Sequence, residues 1–154
     1  MTSKIDARLA ELGITLPAAP MPAANYVPHV VSGKMLYVSG QISANADGMI
    51  KGRLGDGTSV EEGAAAARAC ALSLIAQARA ACEGDLDRIA RVVKLVGFVN
   101  STADFTDQPK VINGASDLMV EVFGDAGRHA RSAVSAASLP FGVAVEVEAV
   151  FELV

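Results

Sequence analysis

The sequence predicts an α/β domain of the α+β kind, ordered helix, then β-β-α-β-α-β-β, with one mixed sheet and two long helices on one of its faces. Three observations carry that expectation. Two long helix-like runs, 59–84 and about 107–123, are bounded by turn residues. Strand-like runs precede, separate and follow them. The last stretch alternates, so that Ala144, Glu146, Glu148, Val150 and Glu152 share one face and Val145, Val147, Ala149, Phe151 and Leu153 the other. The second set reads as a core face. The first is too acidic for a core and too rich in valine and alanine for a freely solvated surface. If both helices cover one face, partner chains are expected on the other.

The elements follow in order. Residues 3–12 read as a short amphipathic helix, capped by Ser3 and stopped by Gly13. Leu16 to Pro22 holds three prolines and is expected to be extended. Residues 1–24 thus form an extension before a single domain of residues 25–154. Tyr26–Val31 and Met35–Ile42 read as a hairpin turning at Ser32-Gly33-Lys34. Gly40, late in the second strand, permits close approach of backbone or ligand. Asn45 to Thr58 reads as a glycine-punctuated loop without the spacing of a phosphate loop. The helix from Ser59 opens on Glu61 and Glu62, which suit its dipole, and its small residues 64–71 are expected to pack closely on the sheet. Asp85 caps a short turn, and Val92–Val99 reads as a buried strand. The second long helix tolerates Pro109 because it falls in the first turn, and Gly124 ends it. Two terminal strands flank the turn at Pro140 and Gly142.

Composition narrows the function classes. The chain has 154 residues, 51% of them hydrophobic and 19% charged, with net charge −4 and pI about 5.1. That length suits one domain with a substantial core, and the low charge hints at surface covered by other subunits. An acidic chain without a basic cluster is a poor binder of a phosphate backbone, so no nucleic-acid partner is expected. No apolar run is long enough to span a membrane, and the N-terminus lacks the pattern of a signal peptide, which favours a cytoplasmic location. Cys70 and Cys82 fall twelve positions apart in one predicted helix, roughly 18 Å along its axis, too far for a disulfide. Buried reduced thiols are expected. With only His29 and His129, a histidine-rich metal site is not available.

Arg131 opens the first terminal strand and Glu146 lies in the second. Placed near a common sheet face, the two would frame a pocket for a small carboxylate-bearing molecule. Arg131 could equally be structural, pairing Glu146 or Glu148, and the Val-Glu-Val-Glu alternation is also what any half-exposed strand shows. Glu148 reads as an interface residue, and His129 as a surface or interface residue on the side of Arg131.

Several blocks in order carry a resemblance. They are Tyr26 with the hairpin ending Val38-Ser39-Gly40-Gln41-Ile42, the strand 93–99 leading to Ala103-Asp104-Phe105, and Val111-Ile112-Asn113. Ala130-Arg131-Ser132, Ser138-Leu139-Pro140 and Val145-Glu146-Val147-Glu148-Ala149 follow. Over residues 25 to about 152 the chain resembles the RidA/YjgF family, also called the L-PSP family. That resemblance implies a chorismate-mutase-like fold, a homotrimer with clefts between subunits, and hydrolysis of reactive enamines and imines such as 2-aminoacrylate to 2-keto acids and ammonia. No metal or organic cofactor is implied. Arg131 would hold the substrate carboxylate in two parallel hydrogen bonds, and Glu146 would position and deprotonate water. Tyr26, Ser39, Gly40, Asn113 and Ala133 would complete the substrate-binding set. The sequence departs from the family at Ala133, where a cysteine often stands, at Asn25, where a proline commonly precedes the tyrosine, and in its long N-terminal segment. Competing readings are a non-catalytic binder of small carboxylates, an endoribonuclease and, on fold analogy alone, an isomerase.

Overall fold

The computed structural model describes residues 3–22 and 24–154. Helix α1 (Lys4–Glu11) is capped by Ser3, whose hydroxyl accepts from the Asp6 N–H at 3.0 Å. Its next two free N–H groups, on Lys4 and Ile5, donate to the Asp87 carboxylate at 2.9 and 3.0 Å. With Leu9 and Leu16 buried in the common core, the N-terminal segment is packed onto the rest of the chain.

Strands β1 (His29–Ser32) and β2 (Met35–Ile42) form the expected hairpin. The first strand is shorter than the expected Tyr26–Val31, because Pro28 lacks the N–H that would extend the ladder. Its carbonyl instead accepts from the Ser39 N–H at 2.9 Å. The stretch read as a loop, 45–58, contributes to a two-residue hairpin, β3 (Ala44–Asn45) with β4 (Gly48–Met49). The Asn45 side chain closes its turn by accepting from the Asp47 N–H, a local bond open to asparagine.

Helix α2 (Val60–Ala81) starts on a reciprocal capping box between Ser59 and Glu62 and ends three residues before Gly84. Asp85 caps a single 3-10 turn, Leu86–Arg88. Strand β5 (Ile89–Asn100) outruns the predicted 92–99 because it has a neighbour on both sides. Helix α3 (Gln108–Phe123) holds Pro109 in its first turn and stops at Gly124. Strands β6 (Ala130–Ala136) and β7 (Val145–Leu153) complete the chain.

The sheet order is β1-β2-β7-β5-β6, with only β5 and β6 parallel. Helices α2 and α3 cover one face, where Leu36, Leu95, Val147, Ala149 and Phe151 are buried. The small-residue stretch of α2 meets the sheet, with Cys70 Sγ donating to the Val145 carbonyl at 3.5 Å, and α2 also packs on α3. A side chain at Gly114 of α3 would strike the backbone of Ala64 on α2, so glycine sets how closely the helices cross. The opposite face is open, with Val30, Tyr37 and Val134 about half exposed and Val96, Phe98 and Val150 partly so. Cys70 and Cys82 are buried free thiols, as expected. Burial pushes both thiols up and, for Cys70, Glu146 adds to the rise. No helix among the described residues is long and apolar enough to cross a membrane.

Candidate functional site

On the open face, the register between β2 and β7 slips between Val38 and Gln41, so Ser39 and Gly40 lie opposite the single residue Glu148. The slip brings Gly40 against Glu146, where any side chain on residue 40 would collide with the carboxylate. Glu146 is half-buried, and among the described residues its carboxylate has no ion-pair partner. Burial raises its pKa first, and the neighbouring Glu148 adds to the rise. A carboxylate in that condition is a stronger base than one in water.

Glu146 lines an open cavity of about 640 Å³. The N-terminal segment supplies one wall through Pro20, Met21, Pro22 and Ala24. Tyr26 and Pro28 supply the next, Gly40 to Ile42 the floor, and Met49 and Phe141 the far side. Two buried amides hold the wall in place. The Gln77 side chain on α2 donates to the Pro20 carbonyl at 2.6 Å and lies 3.4 Å from the Gln41 amide oxygen, while Gln41 donates to the Ser39 carbonyl at 2.8 Å. The Ser39 hydroxyl donates to the Val27 carbonyl at 2.8 Å, so its proton fixes the segment that carries Tyr26.

Arg131 belongs to a different place. Register aligns it with Leu95 and Ala149, both buried on the helix face, whereas Glu146 aligns with Phe98 and Ile42 on the open face. Residues in one cross-strand row point the same way. The common-face expectation is therefore corrected: within one chain Arg131 and Glu146 occupy opposite faces of the sheet. Nor does Arg131 pair with Glu146 or Glu148 within this chain. Its guanidinium lies over α3. One terminal nitrogen donates to Asn113 Oδ1 at 2.9 Å and to Ser116 Oγ at 3.1 Å, and the other reaches the Pro109 carbonyl at 3.4 Å. The Nε–H and one further N–H of its five donors are left for another acceptor. Ala133 follows on the same face, packed against the core edge.

His129 is on the side of Arg131, as expected, and is tied into this cluster. Its Nδ1 lies 2.6 Å from the Gly127 carbonyl and its Nε2 2.8 Å from Ser116 Oγ. A carbonyl only accepts, so Nδ1 carries the proton and Nε2 accepts from the serine. Burial, then the charge of Arg131, hold the imidazole below its ordinary pKa, against the opposing pull of Gly127. The neutral ring thus leaves the serine oxygen free to accept from Arg131.

The predicted residues fall into two groups: Glu146, Gly40 and Tyr26 at the cavity, and Arg131, Asn113 and Ala133 at the β6–α3 edge, with Ser39 supporting the first. Sequence reasoning missed Met21, Gln77, Ser116 and Phe141. Gln77 had a signal, as a lone amide inside an alanine-rich apolar helix. Phe141 had a weaker one, as the central residue of a Pro-Phe-Gly turn.

Residues 6–153 match the family model described as "YjgF/chorismate_mutase-like, putative endoribonuclease". The chain is 56% identical to Protein TCP17 of Trypanosoma cruzi over 154 residues, covering 99% of this chain and 96% of that protein. Its fold superposes on the crystal structure of Atu1372, a protein of unknown function from Agrobacterium tumefaciens, with TM-score 0.90 and 48% identity, covering 97% of this chain and 92% of that one. A "putative endoribonuclease" from Shewanella oneidensis gives TM-score 0.92 at 36% identity, covering 97% and 99%. The match runs through every element of the sheet and both long helices, so the chain belongs to the YjgF/chorismate-mutase-like family.

Proposed function

We propose that the protein hydrolyses reactive 2-imino acids and their enamine tautomers to 2-keto acids and ammonia, at sites completed between neighbouring subunits of a homotrimer. The observation that carries this reading is the separation of the two groups. A half-buried, unpaired carboxylate lies on one face, and an arginine braced by three acceptors, with donors to spare, lies on the other. One small substrate cannot touch both within a chain. Two copies packed through the open face, in a closed ring, can bring the Arg131 edge of one to the Glu146 cavity of the next.

The chemistry then follows from the residues. Arg131 clamps the substrate carboxylate and fixes its orientation. Glu146 takes a proton from a water as the water oxygen bonds to the imine carbon. Glu146 returns that proton to the nitrogen, which gives a neutral carbinolamine. The carboxylate then takes the carbinolamine hydroxyl proton as the carbonyl forms and the carbon–nitrogen bond breaks, and passes it to the departing nitrogen, which leaves as ammonia. The raised pKa of Glu146 suits a group that must accept and return a proton near neutral pH.

Turnover of 2-aminoacrylate, generated in place by a serine/threonine dehydratase, tests the reading. Wild type accelerates keto-acid release. Glu146→Gln lowers kcat by about 10²-fold or more, and Arg131→Ala abolishes the acceleration. Full activity in either folded variant overturns the assignment.

The family description and the Shewanella protein's name favour a second reading, an endoribonuclease. The net charge of −4 and the carboxylate-lined cavity weigh against a phosphate-backbone ligand. An RNA mobility shift that weakens with salt, with cleavage lost in Arg131→Ala, would favour that reading instead.

A further inference from the structure

The cavity is far larger than the reaction needs. 2-Aminoacrylate has half a dozen non-hydrogen atoms, whereas about 640 Å³ lies within the roughly 300–1,000 Å³ of pockets that bury drug-sized ligands. Beyond Glu146, Gln41 and Ser73 the wall is apolar, with Met21, Tyr26, Pro28, Ile42, Met49 and Phe141 its large side chains. Four of these, Met21 (87%), Tyr26 (49%), Met49 (45%) and Phe141 (56%), are among the chain's exposed large hydrophobic residues. They are gathered around one carboxylate rather than scattered, which marks a surface built for an apolar occupant.

Two further features show that the wall is held in place rather than left over. Phe141 has φ 60°, in the left-handed region that a bulky side chain occupies only under strain. Glycine would sit there freely, so the ring is presented to the cavity against the backbone's preference. Across from it, the buried Gln77 ties Pro20 to the body of α2 and so fixes the segment carrying Met21 and Pro22.

We infer that this cavity selects 2-imino acids with a large apolar side chain, branched or aromatic, and that Phe141 and the Pro20-Met21-Pro22 wall determine that choice. The inference rests on the deaminase reading for placing the reacting carbon near Glu146. With the substrate's carboxylate on Arg131 of the adjoining subunit, its side chain extends along the apolar wall. A methyl side chain would leave most of that wall without contacts.

The keto-acid products are stable, so the preference can be read as binding, apart from turnover. Pyruvate, 4-methyl-2-oxopentanoate and phenylpyruvate are titrated into wild type and Phe141→Gly and followed by NMR shifts. In parallel, the imines of alanine, leucine and phenylalanine, made in place by an L-amino-acid oxidase with catalase, are offered as substrates. The larger keto acids bind wild type at least about tenfold more tightly than pyruvate, since each methylene in an apolar pocket is worth about tenfold or more. The phenylpyruvate-to-pyruvate ratio falls at least threefold in Phe141→Gly, which suits the backbone at that position and folds. Equal or tighter binding of pyruvate, or an unchanged ratio in the folded variant, overturns the inference. That includes the case in which a second copy of the chain fills the cavity. Turnover of the alanine imine with no preference for the larger ones also overturns it and leaves the deaminase reading intact. Discrimination among keto acids without turnover of any imine keeps the pocket and sinks the deaminase.

Discussion

Glu146 holds its proton to higher pH in the folded chain than in the unfolded one, because burial and then Glu148 disfavour its charge. Between those two pKa values the folded state binds more protons, so stability falls as pH rises through that window and is level above it. The ionised carboxylate therefore costs the fold something at neutral pH. Glu146→Gln, nearly the same in shape, is expected to raise the melting temperature at pH 7 and to lose that advantage at pH values well below the ordinary glutamate pKa, where the wild-type carboxyl is protonated in both states. Thermal unfolding across pH checks this, and a melting temperature that falls at neutral pH would mean that the carboxylate has an ionic partner. A residue whose removal steadies the fold while ending activity has the signature of a functional position. Alternation within β7 made the face of Glu146 legible in the sequence. Its half-burial was not, because that depends on Gly40 and on Pro20, Met21, Pro22 and Tyr26 around the same cavity, more than a hundred positions away. The face of Arg131 was not legible for a different reason. Alternation within β6 gives two rows, but which row meets the helices depends on pairing with β5, and a one-residue slip reverses the answer.

At the level of elements, punctuation in the sequence located the helices well. Ser3 and Asp85 cap where expected, α2 starts at Ser59, and Gly124 ends α3. These signals are local, since each satisfies backbone groups within a few residues. What the sequence could not give were the bonds that cross elements. The Asp87 carboxylate serves the N-terminus of α1, and Gln77 of α2 holds the Pro20 carbonyl, 57 positions away. Gln77→Ala leaves the buried Gln41 amide oxygen and the part-buried Pro20 carbonyl without their donor. The expected cost is about 1–3 kcal/mol, or several degrees of melting temperature for a chain of this size. Residues 17–24 should also become the first site of limited proteolysis. An unchanged melting temperature together with unchanged cleavage would show that the wall is held by its proline contacts alone.

The whole molecule turns on the two faces of one sheet. α2 and α3 bury one face and leave the other open, with Val96, Phe98 and Val150 beside Lys94, Glu146 and Glu148, and the groups proposed for one reaction stand on opposite sides. In a cyclic trimer each site would draw Arg131 from one subunit and Glu146 from the next. That arrangement predicts recovery of activity from two inactive proteins. Arg131→Ala keeps its Glu146, and Glu146→Gln keeps its Arg131. Mixed in equal amounts, unfolded and refolded together, they form trimers in which about one site in four joins an intact arginine to an intact glutamate across a heterologous interface. Activity should therefore return to roughly a quarter of wild type, whereas the two variants refolded separately and then combined stay inactive. If both groups served one site within a chain, no mixture could restore it. Sedimentation of the refolded mixture belongs with the assay, since trimers that form without regaining activity would place the two residues in separate sites.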